Sequence, residues 1–449
     1  MNILNDSIYS LIKKLALPAS VGLIFSTLYN VVDTFFAGRY LSSEALAGLT
    51  YIFPIFLIAM AVGSGMSNGL IALMSESLGM KKKKRAYKLA LQGFYLNIIL
   101  AILLFVFLWF VTPLMMDFVG AGAKSAQEGI AYMRTYIFGL LFSLGAFVFN
   151  GILTVQGDTK SFRNSLIYAF GMNVILDPLF ILYFDFGVYG LAFATLLVQT
   201  MSCIYLGYKA YRSDLIQTFL GQVYPMNLGY IWEILKQGIP ATVNIVTMSS
   251  QIFIMNKYVR DFGGDYAVAG MGAGFRVEQI VIVPTFALSI AAMTIIGQNY
   301  GANQFNRIKE TYRKSNIIGF IIVLIGGLAS ALLGKYFIQF FDPTPEVVEF
   351  GATYLILSAC IMPSYVVTNV ATASLQALQY PNVPLVISVF RRLVLLWAAM
   401  EFFAVYLDLG MKGVLISIAL LPWIGVVIFH LAAVFVMKRV ASKPPKHAH

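Results

Sequence analysis

The chain is a series of long apolar runs separated by short polar stretches. A helix crossing about 30 Å of hydrocarbon needs about 20 mainly apolar residues. Twelve windows meet that requirement, at 15–38, 50–75, 88–115, 130–155, 163–184 and 188–208, then 234–258, 274–297, 315–339, 348–373, 383–405 and 411–437. The runs are continuous and do not alternate over about ten residues, which predicts helices and not the strands of a membrane barrel.

The pattern repeats. At an offset of 222 residues Pro18 meets Pro240, Ala45 and Gly48 meet Ala267 and Gly270, Ser67 meets Ser289, and Gly79 meets Gly301. With small shifts the match continues, "MMDFVG" at 115–120 against "FFDPTP" at 341–346 and "DFGVYG" at 185–190 against "DLGMKG" at 408–413. Six spans per repeat give both halves the same orientation, so the predicted fold class is an all-α integral membrane protein. Its twelve transmembrane helices form two six-helix bundles related by a pseudo-two-fold axis along the membrane normal. The expected domains are an N-terminal lobe (1–208), a cytoplasmic linker (209–233), a C-terminal lobe (234–440) and a disordered tail (441–449).

Composition agrees. Of 449 residues, 59% are hydrophobic and 11% charged, against about 45–50% and about 25% in a soluble domain. With the N-terminus inside, 21 of the 31 basic residues fall on the cytoplasmic side and seven outside, so both termini are expected in the cytoplasm of a cell-membrane protein. The run Lys81–Lys84 lies in a loop between spans and reads as a topology or anionic-lipid signal, so no nucleic-acid partner is expected. Cys203 and Cys360 sit in apolar runs without metal-ligand spacing and are expected in the core.

Acids within spans are costly and so are functional candidates. Asp33, in "TLYNVVDTFFAG", and Asp177, in "GMNVILDPLF", both lie about 10 Å below the outer surface at 1.5 Å per residue. Tyr29 is one helical turn from Asp33 and Asn173 one turn from Asp177, so each pair shares a face. Thr195 on the sixth helix reaches the same level. Together they form an oxygen cage suited to a proton or Na⁺, the Na⁺ held by Asp33, Asn173, Asp177 and Thr195. Tyr132 and Tyr136 on the fourth helix reach this depth and are further candidates for the cage, with aromatic packing the favoured role for both. The second half lacks the cage: Met255 stands opposite Asp33, and at an offset of 219 Leu396 stands opposite Asp177 and Arg392 opposite Asn173. It has buried charges of its own, Glu278, Arg391 and Arg392; an ion pair between Glu278 and one arginine is expected because an unpaired buried charge is expensive, and a substrate or second ion role is the alternative.

The segments "VDTFFAGRYLSSEALAGL" at 32–49, "VQGDTK" at 155–160 and "GQNYGA" at 297–302, with the doubled six-helix layout, resemble the MATE (multidrug and toxic compound extrusion) transporters over about residues 10–440. Asp33, Asp177 and Asn173 resemble the DinF-type branch, in which these positions, with Tyr29 and Thr195, form the cation site and a proline matching Pro18 is linked to bending of the first helix. The NorM-type branch carries an acid on the seventh helix, where this chain has Asn256 and Lys257 and none before Asp261. The resemblance implies antiport of organic cations, drugs among them, against H⁺ or Na⁺. No cofactor is implied, membrane lipid surrounds the protein, and a monomer is expected.

Three rivals stand beside this reading. A flippase for lipid-linked sugars needs several basic cavity residues, and only Arg391, Arg392 and Arg276 are available. A passive channel needs no ion cage. An enzyme is excluded because the sequence has no Ser/His/Asp set, H-E-x-x-H or P-loop, and its histidines are His430, His447 and His449.

Overall fold

In the computed structural model the described residues, 1–341 and 343–442, are helical almost throughout, with no strand among them. The tail expected at 441–449, with His447 and His449, lies outside the described residues from 443 onward.

Among the described residues, eleven helical segments are long and apolar enough to cross a membrane. In chain order α1 is Ile8–Tyr40, α2 Ser43–Gly79 and α3 Lys83–Val119. They are followed by α4 at Ala123–Val155, α5 at Lys160–Tyr183 and α6 at Gly187–Tyr211. The segment Leu228–Gly301 is two helices, because Gly264 has φ 72° and ψ −173°, a backbone state that a residue with a side chain rarely adopts. It separates α7 (228–263) from α8 (265–301). Then come α9 (Phe305–Phe341), α10 (Pro345–Ala377), α11 (Asn382–Tyr406) and α12 (Gly410–Ser442). All twelve predicted spans are present. Their outer faces are apolar, with Leu332 80% and Phe340 86% exposed, a surface suited to lipid and not to water.

The described residues divide into two compact units, one of residues 21–78 and 82–242, the other of residues 1–20, 79–81 and 243–442. The boundaries fall inside α1 after Ser20 and inside α7 after Thr242. In the first unit α4 packs on α3 and α6, and α5 packs on α6. The second unit pairs α9 with α10, and α12 with α10 and α11.

Each unit contains the same close crossing. A Cβ on Gly48 of α2 would lie 2.4 Å from the Ser125 carbonyl of α4, and one on Gly270 of α8 would lie 2.8 Å from the Val347 carbonyl of α10. Each also shares its turn before the last helix. Asp185 and Gly187 have φ of 53° and 55°, and Asp408 and Gly410 have φ of 54° and 53°. Asp and Gly tolerate this left-handed state best, so the two D-x-G motifs set one geometry twice.

The linker is held in place. Tyr87, Gln92 and Tyr95 of α3 donate to the carbonyls of Gln222, Pro225 and Tyr224 at 3.0, 3.0 and 3.1 Å. Lys88, beside the lysine run, sits 4.7 Å from the Tyr224 ring centroid. Cys203 is half-buried, but Cys360 is exposed. That corrects the expectation of a core residue: in a membrane span, apolar sequence marks lipid-facing positions as readily as core ones.

Candidate functional site

The acids of the first half meet at one amide. Asn173 Nδ2 donates to Asp33 Oδ1 at 2.8 Å and to Asp177 Oδ2 at 2.9 Å. The second bond follows from the i, i+4 spacing on α5; the first spans from α5 to α1. Asn173 and Asp177 are fully buried, and Asp33 is half-buried. Pro178, next to Asp177, has no backbone N–H to give the helix ladder, and α5 widens into a π-helical turn over Leu179–Tyr183 directly after it.

Hydroxyls complete the cluster. Tyr29 donates to Thr195 Oγ1 at 3.3 Å, and Thr195 donates to the Leu191 carbonyl one turn back on α6 at 3.1 Å. Tyr132 is buried, with its phenol near Thr195 and both acids. Tyr136, fully buried, stacks on Tyr132 at 6.4 Å and packs on Phe56 at 5.0 Å. Asn30 turns away and donates to the Ser26 carbonyl at 2.9 Å. Pro18 lies on the part of α1 assigned to the other unit, and the helix runs through it unbroken.

Chemically the cluster is rich in acceptors. The Oδ1 atoms of Asp177 and Asn173 are both buried without a donor. Two carboxyls around one amide, one buried and one half-buried, cannot both stay ionised at low cost unless a cation or proton joins them.

The MatE family model matches residues 18–179 and 240–398. The chain belongs to the MatE family. The two matched segments begin at the same 222-residue offset seen in the sequence. The probable multidrug resistance protein YpnP of Bacillus subtilis is 24% identical over 90% of both chains. The FAD transporter of Shewanella oneidensis is 27% identical over 96% of this chain and 95% of its own. The multidrug export protein MepA of Staphylococcus aureus is 22% identical over 76% and 75%. Among solved structures, an outward-facing MATE transporter of the MOP superfamily superposes with a TM-score of 0.92 at 24% identity, over 98% of each chain. A MOP-superfamily transporter from Pyrococcus furiosus, described as having a binding pocket of reverse polarity, superposes at 0.90 and 23% identity over 98% of each chain. The protein is therefore a multi-pass membrane transporter and not an enzyme.

The second half of this MatE chain departs from expectation in one respect. Among the described residues, Glu278 on α8 makes no ion pair with an arginine. Its Oε2 accepts hydrogen bonds from Tyr354 at 2.7 Å and Ser358 at 2.6 Å, both on α10, and the Tyr365 phenol is also within reach. Hydroxyl donors already satisfy the carboxyl, which removes the need for a charged partner. Arg392 of α11 donates from one terminal nitrogen to the backbone carbonyl and side-chain oxygen of Asn244 on α7, both at 2.9 Å. Arg391 is 4% exposed. Arg276 lies over the Phe341 ring at 5.8 Å, away from these groups. Sequence reasoning missed Tyr354, although the 222-residue offset makes it the counterpart of Tyr132. Asn244 and Tyr365 carried no sequence signal.

Proposed function

We propose that the protein is a secondary-active multidrug exporter that exchanges organic cations for H⁺ or Na⁺ by alternating access. The observation that carries this is the single Asn173 amide joining Asp33 and Asp177 in a buried, acceptor-rich cluster. A proton or Na⁺ neutralises the pair from the outer side, α1 bends near Pro18, and the weakened negative site releases its organic cation. One site with two competing ligands couples them, and each shifts the equilibrium only by its differential affinity for the two states. The oxygens of Asp33, Asn173, Asp177 and Thr195 would hold Na⁺, with Tyr29 and Tyr132 closing the cluster. The basic-residue bias supports both termini in the cytoplasm, and the protein acts as a monomer.

The relatives in Bacillus and Staphylococcus support multidrug cargo; the one in Shewanella supports FAD as a second reading. Full-length protein in liposomes, given a fluorescent organic cation or FAD under an imposed pH or Na⁺ gradient, separates them. Gradient-dependent movement of the cation is expected. Movement of FAD alone would transfer the cargo to the second reading, and movement of the cation indifferent to both gradients would reject antiport.

A further inference from the structure

Carried along the repeat, each of the five cluster positions in the first half has a counterpart in the second. The offset is 222 residues in the first helix of each half, 219 where α5 matches α11, and 223 after the D-x-G turns. These place Gln251 opposite Tyr29, Met255 opposite Asp33, Arg392 opposite Asn173, Leu396 opposite Asp177, and Ile418 opposite Thr195. All five counterparts line one cavity, together with Tyr365, Arg391 and Ser417. The second half thus has a cavity at the positions equivalent to the acid cluster, with the opposite chemistry: both acids are replaced by apolar side chains, the amide by a guanidinium, and a second guanidinium is added.

Arg391 is the decisive group. It is more than nine-tenths buried, and among the described residues it has neither a hydrogen bond nor an ion pair, while its Nε is buried without an acceptor. The Arg392 Nε is likewise without one. The Tyr365 phenol, which also reaches Glu278, stands within electrostatic range of both guanidinium groups, and Glu278 itself is not within ion-pair distance. A buried cation with no counter-charge is expensive in a span. The fold nevertheless makes room for it, since a Cβ on Gly425 of α12 would lie 2.7 Å from Arg391 Cδ and 2.9 Å from its Nε. Both arginines sit on a π-helical stretch of α11, Phe390–Leu395, a feature that recurs at functional sites.

We infer that this cavity is a binding site for an oxyanion, a carboxylate or phosphate group, held by Arg391 and Arg392 with Gln251 and Ser417 as flanking polar groups. Planar guanidinium donors match such groups in a forked geometry that a lysine cannot reproduce. The oxyanion can belong to a cargo molecule or to the headgroup of an anionic lipid. The inference does not depend on the acid cluster or on ion coupling, and its test uses no gradient.

Full-length protein in phosphatidylcholine nanodiscs is titrated with rhodamine B, which carries a free carboxylate, and with its ethyl ester, which does not. Thermal unfolding is measured in the same discs and in discs containing phosphatidylglycerol. If the anion is cargo, the acid binds about tenfold more tightly than the ester, as expected for a charge-assisted pair, and Arg391→Gln removes that preference by weakening the acid alone. If the anion is lipid, phosphatidylglycerol raises the unfolding temperature of the wild type and not of Arg391→Gln. The lipid arm decides alone if neither rhodamine binds. Because Arg391→Gln removes an uncompensated charge, its own unfolding temperature in phosphatidylcholine should equal or exceed that of the wild type, so loss of a response is not loss of fold. Equal binding of acid and ester, with no phosphatidylglycerol effect that Arg391→Gln abolishes, overturns the proposal.

Discussion

The two halves share a scaffold and differ in their polar chemistry. Gly48 and Gly270 open the same helix crossing, and the D-x-G turns at 185 and 408 set the same connection. Yet Asp33 and Asp177 are bridged by Asn173 in the first half, while Met255, Leu396 and Ile418 belong to one apolar cluster in the second. A second exchange runs the other way: Phe56 packs on Tyr136 in the first half, and at their counterparts Glu278 accepts from Ser358. Repeat architecture preserves backbone approach, where a side chain would meet a neighbouring carbonyl. It leaves cavity-lining side chains free to diverge, so a site in one half says where to look in the other but not what is there.

The largest effect should come from the acids. Asp33→Asn or Asp177→Asn should reduce gradient-driven export in proteoliposomes to background with normal membrane expression. Met255→Leu, at the counterpart of Asp33, should leave export unchanged, and equal losses at the two positions would break the asymmetry. Next is the bridge: Asn173→Ala removes two hydrogen bonds to carboxyl groups, and at about 1.5–3 kcal/mol each for charged partners transport should fall about tenfold or more. A smaller effect tests the shared scaffold. Gly48→Ala places a methyl 2.4 Å from a backbone oxygen and Gly270→Ala places one at 2.8 Å. Both should lower the unfolding temperature through a packing cost of about 1–3 kcal/mol, Gly48→Ala more than Gly270→Ala. Smallest is Glu278→Gln, which can still accept from Tyr354 and Ser358. Its stability loss should stay below about 1.5 kcal/mol, whereas an ion pair with an arginine would make the loss larger.

Much of this was legible in the residues. Span length and hydropathy are constraints of the bilayer itself, so all twelve helices could be read directly. Asp33, Tyr29, Asn173 and Asp177 were readable because the i, i+4 spacing fixes a helix face without knowledge of the neighbours. The partners of Glu278 were not, because a buried carboxyl accepts equally well from hydroxyls, and only the packing of α8 on α10 decides between Tyr354 and an arginine. Cys360 misled for a related reason: apolarity reports exclusion from water and does not separate lipid from core. The cavity around Arg391 required the repeat to be followed through offsets that change along α11, which sequence comparison alone left without a boundary.

The central claim is that one acid pair serves both the coupling ion and the organic cation. Adding an organic cation to the detergent-solubilised protein in weakly buffered, Na⁺-free solution tests it most directly, with proton release followed by a pH indicator. The account predicts release on binding by the wild type and none from Asp33→Asn/Asp177→Asn. Undiminished release from the double variant would contradict it.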